Sequence, residues 1–140
     1  MSFAIFVTAF RDGEGASLPL STIRERFEKH VLRREDDGKS WHLAFGDESL
    51  PPAVLTYRVM GSDQIGGFAI ERPHDDVEFW AIIAGILRDY PCVLYWPGTS
   101  AVMGSLDLLS HLPKTMVEKL GIPLVSTDPE RIRQHVWDHS

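Results

Sequence analysis

The sequence predicts an α+β fold: a single mixed sheet of five to six strands packed with about four helices, in the order β-α-β-β-β-α-β-α-β-α. Three observations carry this. Short apolar runs of strand length are interspersed with segments of helical period. A capping signal marks the start of most of those helical segments. No repeat, linker or low-complexity stretch interrupts the chain, so its elements belong to one domain spanning residues 1–140.

Residues 3–10, FAIFVTAF, are apolar on both alternating faces, with Phe3, Ile5, Val7 and Ala9 on one and Ala4, Phe6 and Phe10 on the other. A strand covered on both faces reads this way, which places it centrally in the sheet. RDGEGASLPL follows as loop, by its glycines and proline. Ser21 or Thr22 caps the next helix, with Glu25 closing a T-x-x-E box, Leu20 as the staple residue, and Ile23, Phe27 and Val31 as its apolar stripe. REDDGK at 34–39 ends it. Strands are expected at WHLAF (41–45), AVLTYRVM (53–60) and IGGFAIE (65–71). Gly61-Ser62-Asp63-Gln64 has turn chemistry and joins the last two as a hairpin, and Gly66-Gly67 marks a bulge or a close backbone approach.

A helix over 76–90 is the best-defined element. Asp75 is its expected N-cap, with Glu78 completing a capping box. Its circumference is largely apolar, leaving only the strip Glu78, Ala81, Gly85, Arg88 and Asp89. It ends at Tyr90-Pro91, because a residue preceding proline avoids the helical region. CVLYW (92–96) is a buried strand, and SLDLLSHL (105–112) a helix capped by Ser105. Pro113 opens a further turn through Leu120 that Gly121 closes. IPLVS (122–126) is the last strand, and Asp128-Pro129-Glu130 begins a C-terminal helix.

Composition narrows the function classes. The apolar share of 44% and charged share of 24% are those of a globular domain. A net charge of −6 disfavours binding nucleic acid by phosphate neutralisation and docking on an anionic membrane. No run reaches the roughly 20 apolar residues that span a bilayer. The apolar segment at 3–10 also lacks the basic start of a secretory signal, so a cytoplasmic location is expected. The single cysteine, Cys92, forms no internal disulfide and sits in an apolar strand as a buried thiol.

No combination of residues reads as catalytic or metal-binding, and no cofactor is expected. The stretch from Gly98 to Ser105 lacks the lysine and the spacing of a phosphate-binding P-loop. As a glycine-bearing loop entering a helix it remains an alternative anion site, built from Gly98, Thr99, Ser100, Gly104 and Ser105. Ser100 is not framed as a nucleophile elbow. His135 and His139 are four apart but have no third ligand nearby in sequence. In HDDVE (74–78) the acids are accounted for by helix capping and the helix dipole.

Two features point toward a protein partner. Acidic groups cluster in loops, at Asp36-Asp37, Asp47-Glu48 and Asp75-Asp76, and would pair with a basic surface. Trp41 and Trp96 stand at strand ends, where an indole is often half wet and anchors an interface.

The opening MSFAIFVTAFRDGE resembles a group of small bacterial proteins that begin M-S-F-x-[IV]-F-[VL]-x-x-F-x-D-G-E. That group is largely of unassigned function, so it carries over no catalytic residue. By size, charge and architecture the chain also resembles immunity proteins that neutralise bacterial toxins. These resemblances imply a non-enzymatic binding protein that sequesters a cognate toxin or effector with a basic surface. The alternative is a small-molecule or anion-binding protein, or a small enzyme, using the loop at 97–105.

Overall fold

The computed structural model of the chain describes residues 3–35, 39–46, 49–96 and 100–140. It is a mixed α+β fold with one large sheet. The strands are β1 (Ala4–Arg11), β2 (Glu14–Gly15), β3 (Leu18–Pro19), β4 (Val31–Arg34), β5 (Ser40–Leu43), β6 (Ala53–Gly61), β7 (Gln64–Glu71), β8 (Cys92–Trp96), β9 (Ser100–Met103) and β10 (Leu124–Val125). The helices are α1 (Leu20–Phe27), α2 (Val77–Asp89), α3 (Lys114–Leu120) and α4 (Pro129–His139), with 3₁₀ segments at Glu28–His30 and Leu106–His111. Strand order is β10-β9-β8-β1-β7-β6-β5-β4, with β2 paired to β1 and β3 to β7. The sheet therefore has ten strands, not five or six. The difference comes from short strands in segments whose sequence reads as loop or helix.

The first of these is a tight hairpin. Asp12 and Gly13 both take positive φ, 53° and 82°, and fold Glu14 back onto Arg11. An Asp-Gly pair supplies this turn without strain in the glycine, and its twist suits a right-twisted ribbon. β4 is the second: Val31, expected on the helix stripe, is extended and pairs with Leu43. The third, β9, lies within the stretch read as loop and helix start. Its residues pair with β8 from Val93↔Met103 to Trp96↔Ser100, and with β10 in parallel on the other side.

β1 is central, flanked by β7 and β8. Its two faces differ: Ile5, Val7 and Ala9 are buried, whereas Ala4, Phe6 and Thr8 are half-buried. One face of the sheet is covered by α1, α2 and α4, whose Ile23, Phe27, Phe79, Ile83, Ile132 and Val136 share a core with Val7, Leu55, Ile70 and Leu94. On the other face, the 3₁₀ segment Leu106–His111 and α3 cover only the β8–β9 end. There Val93, Ala101, Met103, Leu108 and Leu112 form a second, smaller core.

Helix starts differ from expectation in instructive ways. α2 is capped by Asp76 and not Asp75, since the Asp76 carboxylate accepts from the Glu78 and Phe79 amides at 2.8 and 3.3 Å. α1 has no cap from its own side chains. Instead the Ser21 amide and hydroxyl both donate to the Asp63 carboxylate, each at 2.8 Å, from the β6–β7 turn. Asp128 caps α4 with Pro129 in the first turn, and Gly121 at φ 78° ends α3, both as the sequence reads.

Candidate functional site

The open half of the sheet's second face is the candidate site. Register places Ala4, Phe6 and Thr8 of β1 beside Glu71, Ala69 and Gly67 of β7, and Val54 and Thr56 of β6 beyond them. Across β8, Tyr95 pairs with Phe6. Among the described residues no helix crosses this area. Phe6 stacks on Tyr95 with centroids 5.5 Å apart, and the Tyr95 hydroxyl meets Thr8 Oγ1 at 3.4 Å. Tyr95 also packs on the second core, so the aromatic pair runs from beneath the 3₁₀ layer onto the bare floor.

The floor opens into a shallow cavity of about 580 Å³ over Phe6, Thr8, Thr56, Gly67 and Ala69, rimmed by Arg58 and Met60. Two glycines shape it. A Cβ on Gly67 would fall on the Val7 carbonyl oxygen, so only glycine lets β7 approach β1 there. Gly66 lies under the Met60 thioether, where a Cβ would come within 2.9 Å of sulfur. The β6–β7 ladder shifts register between Tyr57 and Val59, and again before Gly61. These irregularities turn Val59 and Met60 outward, and Met60 is 58% exposed. A solvated sheet face alternates polar side chains outward; this one sets two stacked rings, alanines, a valine and a methionine among Thr8, Thr56, Arg58 and Glu71.

The residues singled out from the sequence are placed as follows. Trp41 is fully buried, covered by the Arg24 and Arg34 guanidinium groups at 5.9 and 5.6 Å and by Tyr57. Trp96 is 3% exposed and donates its indole N–H to the His139 carbonyl at 2.9 Å. Neither ring reaches the surface, which corrects their expected role as anchors: each strand end is overlain by a neighbouring element. Asp75 pairs with Arg133 at 3.3 Å, and Asp76 is occupied as the α2 cap. Gly46 lies against Asp76, with a Cβ there 3.8 Å from its carboxylate. The other expected contact acids, Asp36, Asp37, Asp47 and Glu48, lie outside the described residues, as do Gly98 and Thr99.

The alternative anion site loses its premise of a glycine loop entering a helix. Ser100 begins a strand, and Ser105 accepts from the Asp107 amide to cap a single 3₁₀ segment. Gly104 is glycine because a Cβ would fall on the Leu87 carbonyl oxygen at the end of α2. What the sequence did not signal is that Ser100 Oγ lies 2.8 Å from His135 Nε2 on α4.

Three other reactive side chains, Cys92, His74 and His111, have structural surroundings. Cys92 is buried and its thiol is pushed up to about 12, chiefly by desolvation. His74 is buried with Nε2 bonded to the Pro51 carbonyl at 2.8 Å. His111 Nδ1 accepts from the Asp12 amide at 3.1 Å and lies 3.3 Å from the Asp12 carboxylate, which holds the imidazole on the β1–β2 turn. Among the described residues, no three His, Cys, Asp or Glu side chains come together in a way that would hold a metal ion. No described helix is long and apolar enough to cross a membrane. In comparisons with protein-family models, curated proteins and solved structures, nothing matches the chain.

Proposed function

We propose that this chain is an immunity-type binding module that sequesters a cognate bacterial toxin by docking it on the open face of β1, β7 and β6. One observation carries the reading: among the described residues this half of the sheet face is preformed and uncovered, with Phe6 on its floor stacked on Tyr95. Interface cores favour aromatic and methionine side chains, and a preformed strand floor with rigid rings loses little conformational freedom on binding. Burying the exposed portions of Phe6, Tyr95 and Met60 supplies the affinity, at up to ~1.5–3 kcal/mol for a large side chain taken fully from water.

Charge sets the kind of partner. The chain carries −6 overall, while on this face the exposed Glu71 is balanced by Arg58 on the rim, so the attraction comes from the molecule's net charge. A toxin domain with a basic surface is steered to such a molecule, and its association slows as salt rises. The protein would act in the cytoplasm, where a toxin's targets are met.

The test is genetic and direct. The product of the neighbouring gene, expressed alone, arrests growth, and co-expression of this chain restores it. Phe6→Glu, checked for folding by circular dichroism, removes the rescue. A neighbouring product that is harmless, or a rescue that survives Phe6→Glu, contradicts the reading.

A further inference from the structure

We propose that Ser100 and His135 form a nucleophile–base pair that accepts an acyl group from small activated esters. This stands apart from the docking face and does not depend on it. Ser100 opens β9 opposite Trp96, and His135 lies on α4, so a contact between residues 35 apart is made by packing α4 against the β8–β9 hairpin. The Oγ–Nε2 distance is 2.8 Å, and both residues are half-buried, within reach of a small molecule. That is the separation a general base needs to take a hydroxyl proton.

The ring is held from several sides. It lies 4.2 Å from the His139 ring and meets Trp96 edge-on at 5.9 Å. His139 Nδ1 bonds the His135 carbonyl at 2.8 Å, and Trp96 donates to the His139 carbonyl, locking the end of α4 onto β8. Desolvation lowers the His135 pKa, with the charges of His139 and Arg131 acting in the same direction against Asp138. Beyond its own helix, the described strand residues against it are the uncharged Trp96 and Ser100. These effects favour the neutral ring. With its proton on Nδ1, Nε2 accepts from the serine hydroxyl.

The chemistry balances without a co-reactant other than water. Ser100 Oγ attacks an aryl ester; the Oγ–C bond forms, the C–O bond to the phenolate breaks, and the hydroxyl proton passes through Nε2 to the leaving phenolate. Water then attacks the acyl-serine, the Oγ–C bond breaks, and a carboxylic acid and free Ser100 are released. No deep cleft flanks the pair among the described residues, so the substrate class is small and already activated.

The experiment incubates the full chain with p-nitrophenyl acetate and maps acetylation by mass spectrometry. Ser110, an exposed serine whose hydroxyl donates to the Asp107 carbonyl, serves as internal reference. Ser100 should be acetylated about 100-fold faster than Ser110, the lower range of general-base assistance. His135→Gln should remove at least about tenfold of that rate with the circular dichroism unchanged. The rate should rise with pH through one ionisation lying below the ordinary histidine value, and His139→Phe should move that ionisation upward. Acetylation of Ser100 no faster than Ser110, or no slower in His135→Gln, overturns the proposal. Should the glutamine variant not fold, a wild-type rate that shows no ionisation below the ordinary histidine value overturns it equally.

Discussion

A methyl group added at Gly67 and one added at Gly15 would meet very different surroundings. At Gly67 it would collide with the Val7 backbone of the neighbouring strand; at Gly15 nothing lies within 4 Å. Gly67→Ala should lower the urea midpoint by the equivalent of about 1–3 kcal/mol, and Gly15→Ala should stay within about 0.5 kcal/mol of wild type. Both residues are glycines inside strands, and only the first was marked in the sequence, by its neighbour Gly66. Cys92 behaves as its apolar neighbours foretell. Buried, and with its thiol held up at about 12, it should fail to react with a thiol reagent at neutral pH until the protein is unfolded in denaturant. Asp89 responds to charge instead. Hydrogen bonds from Arg88 and Arg26 hold its carboxyl down at about 2. A folded value below the unfolded one, near 3.9, means the stabilisation is present above about pH 3.9 and is lost as pH falls toward 2. Asp89→Asn should flatten that part of the acid unfolding curve.

At the scale of elements, what the sequence revealed depended on whether the stabilising partner was local. The turn at 61–64, the cap and proline of α4, and the Gly121 stop are set by adjacent residues, and all were legible. The start of α1 was not, because its cap is Asp63, 42 residues away from Ser21. Asp63→Ala should therefore cost about 1–2 kcal/mol in chemical denaturation, whereas Thr22→Ala, at the expected cap, should change stability by less than about 0.5 kcal/mol. β9 was missed for a related reason: Ser100–Met103 is only four residues long and becomes a strand through its ladders to β8 and β10. The Asp-Gly turn of the β1–β2 hairpin was readable but was absorbed into a loop. The Ser100–His135 contact needed the packing of α4 and had no sequence signal at all.

For the whole molecule, coverage of the sheet is the organising fact. Three helices seal one face, and the 3₁₀ segment with α3 seals only the β8–β9 end of the other. The alternation in FAIFVTAF suggested cover on both sides. Phe6 is apolar like a core residue, yet it faces the open floor. An apolar side chain on an uncovered sheet is indistinguishable in sequence from one beneath a helix. The tryptophans mislead in the opposite direction, since Trp41 and Trp96 stand at strand ends and are buried by neighbouring elements. The binding account thus rests on Phe6, Tyr95, Thr56 and Met60 in place of the tryptophans. The most direct measurement is the affinity of the neighbouring gene's product for four forms of the chain: wild type, Phe6→Glu, Thr56→Arg and Val77→Asp. Val77 is 81% exposed at the start of α2, away from the open face. The two sheet-face variants should weaken binding by at least about 30-fold, the ~2 kcal/mol of an interface hot spot, and Val77→Asp should leave it unchanged. Binding that survives both sheet-face substitutions, or that is lost on Val77→Asp, would contradict the account.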